Sequence, residues 1–188
     1  NYTFTYTANG ELLTKNEFFN STIYDYDVLG NLRQVELPGG TTVNYITDAF
    51  SRRIGKKVDG VLEKGFLYKD LLNPIAELDG NSNIVSRFVY GTKFNIPDYF
   101  TSNKADGQPQ TWETYRIISN HLGSPVMIVK VATGEVVQEI KYDEFGRELE
   151  FIDPTGLGRD FQPFGFAGGL YDSDTGLVRF GARDYDPE

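Results

Sequence analysis

A tyrosine, an aspartate and a tight turn return along this chain at a nearly fixed step. In "YDYDVLGNLRQVELPGG", residues 24–40, Tyr24, Asp27, Gly30 and Asn31 stand 21 residues before Tyr45, Asp48, Ser51 and Arg52. Tyr6, Gly10 and Leu12 stand 20 residues before Tyr26, Gly30 and Leu32. A later copy, "YDEFGREL", places Tyr142, Asp143, Gly146, Arg147 and Leu149. A period near 20 marks repeated supersecondary units, stacked because none buries its apolar face alone. Within one unit, Tyr24 and Tyr26 share a strand face, as do Val35 and Leu37, and then Val43 and Tyr45. From Asp27 to Gly30 the residues are those of a turn: the aspartate accepts backbone N–H groups further on, and the glycine takes positive φ at low steric cost. Pro38-Gly39-Gly40 turns the chain again. Each unit is two strands and two turns, a hairpin feeding the next hairpin.

Turn signals continue at steps of about ten residues: Asp59-Gly60, Asp79-Gly80, Thr133-Gly134, Gly146 and Thr175-Gly176. Asp-Gly between alternating runs is a strong hairpin signal. Strand-like runs such as "IVSRFVYG", "VMIVKV" and "EVVQEIKY" lie between them. The chain is therefore expected to be all-β, with tandem antiparallel hairpins in a curved or spiralling sheet and essentially no helix. Twelve tyrosines and 14 phenylalanines suit half-buried pleated surfaces, and 20 glycines suit the turns. One stretch breaks the rhythm. Residues 93–113, "KFNIPDYFTSNKADGQPQTWE", are polar with two prolines and read as a long surface excursion.

Composition narrows the function. A formal charge of −9 argues against nucleic acid and anionic membrane surfaces, which select clustered Lys and Arg. No run reaches the 18 or more apolar residues of a membrane span, so no membrane insertion is expected. The chain opens without Met or a signal-peptide pattern, which places any export signal upstream. With no cysteine, disulfides and thiolate zinc sites are excluded. His121, the one histidine, sits in "SNHLGSP" and reads as a structural residue bonded to backbone near Gly123 rather than a general base, since no Gly-x-Ser-x-Gly elbow accompanies it. Asp79, Asn81 and Asn83, and separately Asp172 and Asp174, alternate as calcium ligands do, but each set lacks a complete loop and turn chemistry accounts for both. No catalytic, cofactor or metal residue is expected.

"YDVLGNL" and "YDEFGREL" resemble the YD repeat of bacterial Rhs proteins, shared by wall-associated repeat proteins, toxin-complex C subunits and teneurins. From about Phe66 onward the chain resembles the Rhs repeat-associated core, most specifically in "PFGFAGGLYDSDTGLVRFGARDYDPE". The resemblance divides the chain into repeats, 1–65, and core, 66–188, as one contiguous unit. The matching positions are Tyr26, Asp27, Gly30, Asn31 and Leu32; His121 and Gly123; Tyr142, Asp143, Gly146 and Arg147; Phe164, Phe166, Gly168 and Gly169; and Arg179, Gly181, Arg183, Asp184 and Asp186. Phe164 and Phe166 are expected to bury one face. Arg179 and Arg183 are expected to form exposed salt bridges with Asp184 and Asp186.

The family resemblance implies a hollow β-shell around a C-terminal toxin, in a bacterial protein that is secreted or held at the cell surface. The partners it implies are neighbouring repeats and the toxin domain of the same polypeptide. Bare strand edges predict that the isolated chain self-associates. Two other readings stay open. An aromatic-rich sheet also suits a cell-surface glycan- or protein-binding module. "DPTGL", Asp153 to Leu157, resembles part of a family self-cleavage motif, but lies before the tail rather than after it and reads as coincidence, with the processing site downstream.

Overall fold

A computed structural model describes residues 2–104 and 111–188. Fourteen strands follow one another through a single antiparallel sheet in chain order. They are β1 (Tyr2–Tyr6), β2 (Leu12–Glu17), β3 (Asn20–Tyr26), β4 (Leu32–Glu36), β5 (Thr42–Thr47), β6 (Arg53–Val58) and β7 (Val61–Tyr68), followed by β8 (Pro74–Asp79), β9 (Ile84–Val89), β10 (Tyr99–Ser102), β11 (Glu113–Ser119), β12 (Pro125–Lys130), β13 (Val136–Tyr142) and β14 (Glu148–Ile152). Strands β1 and β14 do not pair, so the sheet is open. A small second sheet holds β15 (Leu170–Tyr171), β16 (Val178–Phe180) and β17 (Arg183–Tyr185). The helical content among the described residues is two three-residue 3₁₀ turns, Arg159–Phe161 and Phe166–Gly168. The all-β hairpin architecture read from the sequence is the one observed.

The recurrent motif is explained by its turn. Asp27 N donates to Asn31 O at 3.0 Å and Gly30 N to Asp27 O at 3.0 Å. Asp27 Oδ1 accepts from Leu29 N at 2.8 Å and Asn31 N at 2.9 Å. The loop has three residues, with Gly30 at φ 78 supplying the left-handed step and a register shift at Tyr26 marking the bulge that follows. The same bonds recur at Asp48–Arg52 and Asp143–Arg147, and with an asparagine at Asn120–Ser124. Because the sheet is a simple meander, these turns all fall on one rim, and the alternate turns fall on the other.

One sequence expectation needs correction and one is refined. The hairpin turn expected at Asp79-Gly80 is present between β8 and β9, but Gly80 is not its left-handed residue. The turn runs from Asp79 to Asn83 with Ser82 in the left-handed region at φ 66. Gly80 is required for a different reason, since a Cβ there would collide with the carbonyl oxygen of Leu62. The stretch 93–113 is not one long excursion. Tyr99–Ser102 forms β10, paired with both β9 and β11, and its Phe100 is fully buried. Residues 105–110 of that expected excursion lie outside the described residues.

One face of the sheet carries the core. Inward residues of β3 to β5, namely Tyr24, Leu32, Val35, Val43 and Tyr45, form one apolar cluster together with Leu177. Those of β7 to β13, including Phe66, Phe88, Phe100, Tyr115 and Ile128, form a second with Phe161, Phe164 and Leu170. The segment 159–178 thus supplies side chains to both clusters. Its rings meet the sheet edge-on, with Phe164 at 4.9 Å from Phe88 and Phe161 at 4.8 Å from Tyr115. Between the clusters lies β6, which packs Val58 against the first cluster and turns the charged Arg53 and Lys56 inward.

Candidate functional site

The register of β5 and β6 pairs Tyr45 with Lys56 and Thr47 with Arg53. This turns Lys56 and Arg53 toward the C-terminal segment, where both are buried. Lys56 Nζ donates to Asp172 Oδ1 at 2.7 Å and also bonds the Asp174 carboxylate. Tyr45 donates its hydroxyl proton to Asp172 Oδ2 at 2.7 Å. The Arg53 guanidinium lies 3.4 Å above the Tyr45 ring, and its Nη2 donates to Asp184 Oδ1 at 2.6 Å. The second oxygen of Asp184 accepts from Arg179 Nη1 at 2.6 Å. Arg179 also donates through Nε to Gly181 O and through Nη2 to Ser51 O, both at 2.8 Å, and to Asn31 Oδ1 at 3.3 Å.

The electrostatics keep this cluster ionised. Burial pushes the Asp172 carboxyl upward, but the charges of Lys56 and Arg53 and the bonds from Lys56 and Tyr45 outweigh it and hold its pKa low. Burial likewise opposes the Lys56 ammonium, and Asp172 and Asp174 overcome it, so its pKa is raised. Burial also acts against the Arg53 cation, and Asp184 leads the charges that reverse the effect. A general acid or base works best with its pKa moved toward neutrality. Asp172 and Lys56 have moved away from it, and their bond ties β6 to the C-terminal segment.

The residues singled out by sequence fall in three places. Asp27, Gly30 and Asn31, with Gly123, and with Asp143, Gly146 and Arg147, build the rim turns. Asn31 does more, since its Nδ2 bonds Asp27 Oδ2 at 3.0 Å while its Oδ1 accepts from Arg179. Leu32 and Phe164 are core residues, and Tyr26 packs against the first cluster. Phe166 is only half-buried; it stacks on Tyr185 at 6.1 Å, lies 6.3 Å from Tyr142 and covers Gly146, where a Cβ would overlap its ring. Gly168 and Gly169 admit the close approach of Asn95 and of β16.

The salt bridges differ from expectation. The Arg179–Asp184 pair is buried, Asp186 pairs with Lys15 at 2.9 Å, and Arg183 is exposed. His121 is exposed as well, and the side chain closing its turn is Asn120. At Asp153 burial raises the pKa, but bonds from Gly158 N at 2.6 Å, from Thr155 and from Leu157 N hold it low, the direction opposite to that of a self-cleaving acid. Asp79 is occupied by Asn81 and Asn83 donors. Among the described residues no three His, Asp or Glu side chains are grouped to hold a metal.

Sequence reading missed Tyr45, Arg53, Lys56 and Asp172 as a group. The signal was present in one place: Lys56 falls at an inward position of an alternating strand, where a lysine needs a buried partner.

A family model described as teneurin YD-shell matches residues 1–188. Teneurin-1 of Gallus gallus is 31% identical over 166 residues, covering 87% of this chain and 6% of that protein. The tRNA nuclease WapA of Bacillus subtilis (strain 168) is 27% identical over 186 residues, covering 97% of this chain and 7% of that protein. Among solved structures, the Photorhabdus luminescens Tc holotoxin pore matches with a TM-score of 0.61 at 13% identity, over 99% of this chain and 11% of that one. The chain thus spans a small fraction of the length of these relatives. Among the described residues no helix is long and apolar enough to cross a membrane.

Proposed function

The chain belongs to the teneurin YD-shell family, and from that premise we propose that it forms the closing stretch of a shell wall that encloses a toxin region of its own polypeptide. The repeats, 1–65, supply wall, and the core, 66–188, supplies wall together with a segment that seals it. The observation that carries this reading is the buried clamp at β6. It fixes residues 159–188 across the sheet's apolar face, so that face is filled by the chain itself. The names of two relatives, a tRNA nuclease and a toxin pore assembly, support a toxin as the enclosed region. The same reading places the protein outside the cell or at its surface, with further hairpins and the toxin region as partners.

This role is structural. A glycan-binding role for the tyrosine ladder is less well supported, because Tyr24, Tyr45 and Tyr115 are consumed in the core. The test is protease protection in the full-length polypeptide that carries this chain. The region following Glu188 is expected to resist proteinase K in native buffer and to be cut once Lys56→Met loosens the clamp. Equal cleavage in native buffer and in urea overturns the enclosure.

A further inference from the structure

The hairpins that carry the recurrent turn share one register. Tyr24 faces Val35 and Tyr26 faces Leu32. One unit later Tyr45 faces Lys56 and Thr47 faces Arg53. One unit later again Phe66 faces Glu77 and Tyr68 faces Pro74. Each pair of strands shifts register at the same place, just before the turn. Successive units are therefore equivalent platforms for a segment that crosses the sheet, about 10 Å apart because each contributes two strands. Apolar burial is non-directional and chooses poorly among equivalent platforms. Yet Asp172 and Asp184 meet one unit, that of Tyr45, Arg53 and Lys56.

The chemistry of the inward positions separates this unit from its neighbours. Tyr24, Leu32 and Val35 stand there one unit earlier, and Phe66, Pro74 and Glu77 one unit later. A backward slip would bury both carboxylates over leucine and valine and strand Arg53 and Lys56. A forward slip would set Asp172 against Glu77, which is 2% exposed and already held by Lys104 at 2.7 Å. It would also bring Arg52 to the place where Asn31 now accepts from Arg179. Lys15 repeats the ammonium two units back, but Leu12 stands there in place of Arg53, and Asp186 already engages that lysine. Stranding a buried charge costs far more than an intact buried pair gains over an apolar substitute, so such pairs act on choice more than on strength.

We propose that Arg53 and Lys56 are specificity residues, selecting the one unit of a repeating sheet on which the C-terminal segment docks and excluding the units beside it. Both are buried, so the selection does not depend on what covers the rims or on what the shell encloses.

Double electron–electron resonance on the 188-residue chain tests it. Nitroxides on Ala132→Cys and Ala182→Cys, both exposed sites in a chain without cysteine, report the distance from the sheet to the segment. Labelled chain is diluted into unlabelled chain, so that distances within one molecule are read. An erased variant removes the charges from both sides: Arg53→Leu, Lys56→Met, Asp172→Leu, Arg179→Leu and Asp184→Leu. It is expected to keep the native circular dichroism and to split the single native distance into two populations, displaced from one another by up to about 10 Å. Returning Lys56 and Asp172 alone to the erased variant is expected to restore the single native distance. A single native distance in the erased variant overturns the proposal, because apolar packing then sets the register. Loss of the fold, or a broad distribution from a detached segment, overturns it as well, because the charges then supply strength and not choice. So does a restored variant that keeps both distances.

Discussion

Removing the charge of Lys56 is expected to be among the most damaging single changes to this chain. Its ammonium lies 2.7 Å from Asp172, and both side chains are 4% exposed. Lys56→Met leaves the Asp172 carboxylate buried with Tyr45 as its remaining close side-chain donor. Breaking a buried pair in this way costs about 3–5 kcal/mol. For a chain of this length that corresponds to a fall in Tm of roughly 6–20 °C. Asp172→Leu should cost a similar amount by stranding the lysine, although Asp174 retains part of its charge. The double variant Lys56→Met, Asp172→Leu behaves differently, because no buried charge is left without a partner; Asp174, which also loses Lys56, is 42% exposed and stays solvated. Tyr45 loses one acceptor and keeps its contact with Thr175 at 3.1 Å. The double variant should therefore fall within about 2 kcal/mol of the native chain, giving a large favourable coupling in a double-mutant cycle. Urea unfolding at pH 7 reads the cycle, and hydrogen exchange over residues 159–188 reports whether the C-terminal segment loosens first. Single variants within about 1 kcal/mol of native, or a double equal to their sum, would refute the clamp.

Glycine positions separate backbone strain from crowding. Gly30 and Gly146 have φ 78 and 92, but an added methyl meets only a glutamate side chain at 3.6 Å in the first case and the Phe166 ring in the second. Gly30→Ala should cost the left-handed penalty of about 1–2 kcal/mol and Gly146→Ala distinctly more; equal urea midpoints would contradict the packing. Acid should unfold the chain late. Bonds from the Asn31 side chain and backbone hold Asp27 low, and at Asp160 burial opposes ionisation but Lys64 leads the contacts that bring it down to about 2. With Asp172, these depressed carboxylates stabilise fully above the unfolded value of 3.8 and lose that contribution as pH falls through their lower folded values. The raised pKa of Lys56 keeps its share intact below 10.5 and loses it above. Urea midpoints should be level through neutrality and drop below pH about 3.8; a decline already under way above pH about 5 would count against this assignment.

The sequence made the hairpins legible because their causes are local. Alternation at Tyr24 and Tyr26, and the Asp27-to-Asn31 turn, are decided within a few residues. What escaped has distant or short causes. Lys56 meets Asp172 from 116 positions away and Arg53 meets Asp184 from 131, and no local pattern reports that. Strand β10 is four residues long, and only Phe100 and Ser102 point inward from it, with Ser102 bonded to Ser86 at 3.1 Å. At the Asp79 turn the glycine was visible but its purpose was not, because the neighbour it accommodates, Leu62, lies on another hairpin.

Each strand of the large sheet pairs with the strand that precedes it in the chain, whereas the C-terminal segment reaches back more than a hundred residues. Nearby contacts form quickly and distant ones slowly. The sheet can therefore assemble hairpin by hairpin as polypeptide emerges from a ribosome or a translocation channel, and the latch engages only after its last residues arrive. Emergence of residues 159–188 becomes the event that locks the wall, and a product truncated before them is left with an open apolar face for quality control to find.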